Sequence, residues 1–124
     1  MADIKYLLSL TSAYLHEVDL APLLRAYEFV SERHADHVHE SGEPYVDHLL
    51  AVASTLASMR LDLDTIVAGL LHGALKENVA TREELERLFG GPVANIVDGA
   101  TRITNVRYNS QLAHQAENIR KLLL

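Results

Sequence analysis

The chain has 124 residues, 48% of them hydrophobic and 23% charged, with a formal net charge of −6 and no cysteine. That length fits one domain with one core, and the composition excludes a predominantly disordered chain. It also excludes disulfides, thiolate metal sites and a general nucleic-acid binder, which needs clustered Lys and Arg to neutralise phosphate, so no DNA partner is expected.

Asp3 to about His16 reads as a first helix, because Ile4, Leu7, Leu8, Leu10 and Leu15 recur mostly at helical steps and Asp3 can accept from the first free amides. Met1-Ala2-Asp3 offers no basic stretch and no cleavage site follows, so a secretory leader is not expected. Asp19 and Pro22 open a second helix with the stripe Leu23, Leu24, Tyr27, Val30 and Val38. Its end is expected at Ser41-Gly42-Glu43-Pro44, where glycine can turn left-handed and proline disfavours a helical residue before it. A third helix runs from about Tyr45 to Met59, with Leu49, Val52, Leu56 and Met59 on one face and His48 in the first turn.

Asp62 or Asp64 caps a fourth helix, whose Ile66, Val67, Leu70, Leu71, Ala74 and Leu75 make it the most apolar and so the central one. Its nearly uncharged run, Thr65 to Leu75, is about half of what a bilayer span requires, so no membrane partner is expected. Thr81 with Glu84 three positions later is a capping box for a fifth helix from about Arg82 to Phe89, closed by Gly90. Gly91-Pro92 opens a sixth helix through Thr101 or beyond, the polar residues from Asn105 to Ser110 break the period, and a seventh begins near Ser110 with Leu112, Ala116, Ile119 and Leu123 on one side. Lys121-Leu122-Leu123-Leu124 stops in mid-pattern without a closing residue, so the natural chain is expected to continue. No strand-period alternation is sustained, and the expected architecture is all-α.

Seven histidines invite a metal reading. His16, His34, His37, His39 and His114 each have a plainer explanation, since a lone helical histidine is more often a surface or satisfied core residue than a ligand. His34, His37 and His39 crowd one helix end, where the dipole favours protonated imidazoles. His48 and His72 stand apart: each lies near a terminus of an apolar helix, so two packed helices can bring both rings to one site. A hydrolytic metal centre needs three or more protein ligands, an open position for water and an acid nearby. Glu77 is the candidate acid, while Lys76 beside it brings a positive charge that opposes a cation.

The segments Ser41-Gly42-Glu43-Pro44-Tyr45-Val46-Asp47-His48, Leu70-Leu71-His72, Leu88-Phe89-Gly90, Val97-Asp98-Gly99-Ala100-Thr101 and Ala116-Glu117-Asn118-Ile119-Arg120-Lys121 occur in an order and spacing that resemble the N-terminal hydrolase domain of RelA/SpoT-type proteins. The resemblance covers about residues 25 to 124. It implies an all-α HD-domain bundle, here of about seven helices over residues 1–124. It further implies Mn²⁺ binding, removal of the 3′-pyrophosphate from (p)ppGpp in the stringent response, a cytoplasmic location and, usually, a following synthetase domain that acts as a GTP pyrophosphokinase.

The family pattern runs S-G-E-P-Y-x-x-H and then H-D-x-x-E-D. Its metal histidines fall on His48 and His72, its aspartate on Gly73, its catalytic glutamate on Lys76 and its next aspartate on Glu77. The Arg-Lys pair that meets the nucleotide falls on His39 and Glu40, leaving Ser41 as the substrate-binding match, and a further metal aspartate falls beyond Leu124. Hard cations depend on charged oxygens, and a lost base or orienting acid typically accounts for about 10²–10⁴-fold in rate. The expectation is therefore a degenerate domain in which His48 and His72 are vestigial ligands, Glu77 is the remaining acid and no cofactor is held, Mn²⁺ entering only if the site functions. Its expected partners are the synthetase domain of the same chain and a guanine nucleotide. Two alternatives stand beside it: a working Mn²⁺-dependent (p)ppGpp hydrolase rebuilt from Glu77 and a residue beyond Leu124, and an unrelated helical interaction module.

Overall fold

A computed structural model describes residues 3–109, and in that span the chain forms six helices: α1 (Ile4–Ser12), α2 (Ala21–Arg33), α3 (Tyr45–Ser58), α4 (Leu63–Leu71), α5 (Arg82–Phe89) and α6 (Gly91–Asn109). Two of the caps read from the sequence are in place, whereas Asp62 takes the N-cap position of α4 without a side-chain bond to a backbone amide, its carboxylate accepting from the Thr65 hydroxyl instead. Tyr6 N–H donates to the Asp3 carboxylate at 2.7 Å, and Glu84 N–H donates to the Thr81 hydroxyl at 3.1 Å, so each helix start satisfies an amide that its own ladder leaves open. α1 ends at Ser12 rather than near His16, because the Thr11 and Ser12 hydroxyls turn back onto the Leu7 and Leu8 carbonyls at 3.0 and 2.6 Å and Glu17 takes a left-handed φ of 60°.

α2 also stops short, at Arg33, and the reason is packing. Between Arg33 and Ser41 only Ala35 and Val38 are apolar, too little to hold a helical face on the core. Val38, expected on the buried stripe, is 66% exposed and forms an antiparallel bridge with Pro44. Residues 37–45 close as a hairpin: Tyr45 N–H donates to His37 O at 3.0 Å, His39 N–H to Glu43 O at 2.8 Å and Gly42 N–H to His39 O at 2.8 Å. Gly42, at φ 92°, supplies the left-handed residue that reverses the chain.

α4 is central, as its composition implies: Ile66 through Leu71 are all buried, and the helix packs against α2, α3 and α6. Gly69 lets it approach α3 closely, since a Cβ there would lie 2.7 Å from Leu56 Cδ1. α3 buries Leu49, Leu50, Ala53, Ser54 and Ala57, whereas Met59, expected on that face, is 62% exposed. The apolar pattern beyond Leu71 continues into turns rather than helix, and Ala74 is buried there without being helical. α6 runs past Thr101 and through Asn105, where a break is expected, and the seventh helix lies outside the described residues. Arg33 ties α2 to the segment before α5 and to α5 itself, donating to Val79 O at 2.6 Å and to both Glu84 carboxylate oxygens at 3.1 and 2.8 Å. No helix among the described residues is long and apolar enough to cross a membrane.

Candidate functional site

The first turn of α3, the end of α4 and the hairpin before α3 meet around a cavity of about 310 Å³ lined by Val38, His39, Glu40, Tyr45, His48, His72, Gly73, Lys76, Glu77 and Thr101. His48 sits one turn into α3 and His72 caps α4, so the packing of these two helices brings their rings to 5.5 Å between centroids. The His72 Nδ1 lies 2.6 Å from the Gly69 carbonyl oxygen. A carbonyl only accepts, so Nδ1 carries the proton and the lone pair is on Nε2, the tautomer that a metal ligand needs.

Gly73 sits where the family pattern has its aspartate. A Cβ at this position would overlap the Tyr45 hydroxyl and lie 3.0 and 3.1 Å from two ring carbons, Cζ and Cε1. The tyrosine ring thus occupies the space in which the aspartate side chain would begin. It is held there by stacking on His34, with centroids 4.7 Å apart and planes 18° from parallel, and by edge contacts to His37 and His48. Burial, and after it the Glu77 carboxylate, pushes the Tyr45 hydroxyl above its ordinary pKa, so it remains a neutral phenol and not an anionic oxygen donor.

Four imidazoles surround this tyrosine, His34, His37, His39 and His48, and His72 meets the last of them. The helix-end reading of the first three, as protonated imidazoles favoured by a dipole, does not hold for His34. It is 1% exposed, and burial, then His37, pushes its pKa down, with Glu77 opposing. The two Nδ1 atoms of His34 and His37 lie 2.9 Å apart, so one donates and the other accepts. His48 is likewise pushed down, first by burial and then by His39 and His72, with Glu43 opposing. His16 is exposed and outside the site, and His114 lies outside the described residues.

The other candidates divide. Glu77 and Lys76 both line the cavity, side by side as their sequence positions require. Ser41 does not line it, and its hydroxyl lies 3.3 Å from His39 Nδ1. Among the described residues, the three donors that converge are His39, Glu43 and His48, whose ligand atoms all lie within 4.8 Å of one another, and this set does not include His72. Sequence reasoning missed His39 and Glu43, although Gly42 as a turn residue places positions 39 and 43 opposite each other.

Mn²⁺ prefers several oxygen ligands. The position that the resemblance marks for the metal offers, among the described residues, the imidazoles of His48 and His72, no donor at Gly73 and a neutral phenol against it, a poor fit to that ion.

The HD-domain family matches residues 26–124. A protein of Aquifex aeolicus (strain VF5) named guanosine-3′,5′-bis(diphosphate) 3′-pyrophosphohydrolase is 42% identical over 122 residues, which is 98% of this chain and 16% of that protein. The bifunctional (p)ppGpp synthase/hydrolase SpoT of Escherichia coli (strain K12) is 37% identical over 93% of this chain and 16% of its own length. A GTP pyrophosphokinase rsh of Brucella ovis is 40% identical over 90% of this chain and 15% of its own length. The chain thus spans about a sixth of the length of these curated relatives. With a matching family over four of the six helices and relatives over nine tenths of the sequence, the chain belongs to the HD-domain family, in the form carried by RelA/SpoT-type proteins.

Proposed function

We propose that this is the hydrolase-type HD domain of a RelA/SpoT-type alarmone enzyme in which hydrolysis has been lost and the domain is kept to regulate a synthetase domain in the same polypeptide. The observation that carries the reading is the overlap between the Tyr45 hydroxyl and any side chain built at Gly73. A lost ligand whose volume has been refilled is a larger departure than a lost ligand alone. Lys76, where the pattern has its glutamate, puts an ammonium on the wall from which a general base would act, and Glu77 is the acid left beside it. Relatives named as synthase/hydrolase and as pyrophosphokinase, each several times longer than this chain, support its being one piece of a larger enzyme. A guanine nucleotide remains the candidate ligand of the cavity, with Ser41 acting through His39 rather than by lining it.

The test is pyrophosphate release from ppGpp by the full-length protein with Mn²⁺. Release indistinguishable from the enzyme-free control is expected, and turnover of about 1 s⁻¹ or more, ordinary for an enzyme, overturns the reading. A working hydrolase is the second reading, favoured by the preset His72 tautomer and its nearness to His48. Under it, His72→Ala abolishes a measurable release. The unrelated helical module is set aside, since the family matches and the two histidine rings meet edge to face.

A further inference from the structure

We propose that His39, Glu43 and His48 form a divalent-metal site of the zinc class at the rim of the cavity, displaced from the position marked by His48 and His72. The hairpin builds two thirds of it. His39 N–H donates to Glu43 O, and Gly42 N–H donates to His39 O, both at 2.8 Å, so residues 39 and 43 oppose each other and send their side chains to the same face. The chain then enters α3 at Tyr45, which brings His48 under that face one turn later. The result is three donors within 4.8 Å of one another.

Bonds of about 2.0–2.2 Å in a tetrahedral site would draw those donors to roughly 3.3 Å apart. The side chains are placed to make that adjustment: Glu43 is exposed, and His39 is only partly buried in the turn. The His39 and His48 rings, stacked at 4.1 Å with planes 20° from parallel, must splay to share an ion. His39 Nδ1 accepts from the Ser41 backbone N–H at 3.4 Å with the Ser41 hydroxyl 3.3 Å away, so ligation through Nε2 requires the proton to move to Nδ1, where the Ser41 hydroxyl can accept it.

The donor chemistry selects the ion. Two imidazoles and one carboxylate are the protein ligands of an open, three-ligand zinc site, with the fourth position left to water or an anion. Mn²⁺ prefers a set richer in oxygen. Filling this site engages His48, so it competes with any ion held between His48 and His72, and it fastens the hairpin onto α3. None of this depends on whether the domain releases pyrophosphate, since the readout is binding.

Zinc affinity is measured on the protein by competition with a chromophoric chelator, for the wild type and for E43Q, H39Q, H72Q and H37Q. Wild-type binding tighter for Zn²⁺ than for Mn²⁺ is expected. E43Q and H39Q should each weaken Zn²⁺ by about tenfold or more, by comparison with the 10–100-fold effects of even indirect ligand partners. H72Q and H37Q should leave it within about twofold. E43Q changes one exposed carboxylate to an amide of the same shape, so loss of fold cannot mimic the result. Zinc binding that survives E43Q and H39Q, that falls with H72Q or H37Q instead, or that is no tighter than binding of Mn²⁺, overturns the proposal.

Discussion

Replacing Gly73 with alanine isolates the contact on which the silent-site reading depends, because it adds the Cβ of the family's aspartate without its charge. That atom would overlap the Tyr45 hydroxyl and sit 3.0 Å from Cζ and 3.1 Å from Cε1, so the ring must move. Overpacking of this kind costs typically about 1–3 kcal/mol. Gly73 is not among the glycines with positive φ, so alanine suits the backbone and recovers about 0.4–1 kcal/mol through the unfolded chain. Taking the middle of each range, about 2 less about 0.7, leaves a destabilisation of about 1.3 kcal/mol, or a fall of roughly 5 °C in Tm for a chain of this size. In a Tyr45→Ala background the obstruction is gone and the sign reverses: Gly73→Ala should stabilise by about 0.4–1 kcal/mol. Tyr45→Phe removes the hydroxyl but keeps the two close ring carbons, so its penalty lies between. Urea denaturation of the four members of the cycle gives the coupling between positions 45 and 73, expected near 2 kcal/mol. If Gly73→Ala is neutral or stabilising in the wild type, Tyr45 has room to spare, and the claim that it has taken over the aspartate's space is refuted.

Acid should weaken the fold through His34. Its folded pKa lies below the ordinary 6.5, so below about that pH the unfolded chain takes up a proton that the folded chain resists, and stability falls with falling pH. The urea midpoint should therefore drop from pH 7.5 to pH 5.5, less steeply in His34→Gln, and an equal slope in the two proteins would argue against it. Leu70→Ala at the centre of the fully buried face of α4 should cost about 2–5 kcal/mol by thermal or urea unfolding, and a cost under about 1 kcal/mol would remove α4 from the centre of the core. The pair Gly73→Asp with Lys76→Glu should raise Mn²⁺ affinity measured by calorimetry while lowering stability, because the restored carboxylate must push Tyr45 off its stack on His34. Gain of metal with no loss of stability would show that the ring moves freely.

Elements were legible where a local signal and a buried face agreed. The Thr81 capping box and Gly90 fix α5 at both ends, and the uniform burial of Ile66 through Leu71 matches the most apolar stretch of the sequence. The meeting of His48 with His72 was legible for the same reason, each lying at the end of an apolar helix. The end of α2 was not: Val38 continues the helical period in sequence, but a hairpin made of backbone bonds around Gly42 outcompetes a turn of helix with nothing to bury. Nor was the end of α4, since Ala74 is buried in turns as fully as it would be in helix, and an apolar pattern does not distinguish the two. The refilled position at Gly73 depends on a packing contact between residues 28 positions apart, Tyr45 and Gly73, which no periodicity reports.

A site built around a metal commonly borrows part of its folding energy from the ion, so loss of a ligand should loosen it. Here the groups around the cavity are anchored by contacts that need no ion. His72 is fixed by the Gly69 carbonyl, Tyr45 by the stack on a buried His34, and the hairpin by its own backbone hydrogen bonds. Glycine at position 73 admits the tyrosine ring into the space that a side chain there would take, so that space is filled. Tyr45, at the start of α3, thereby meets the residue that follows the α4 cap, and the packing of α3 on α4 continues past the helix end.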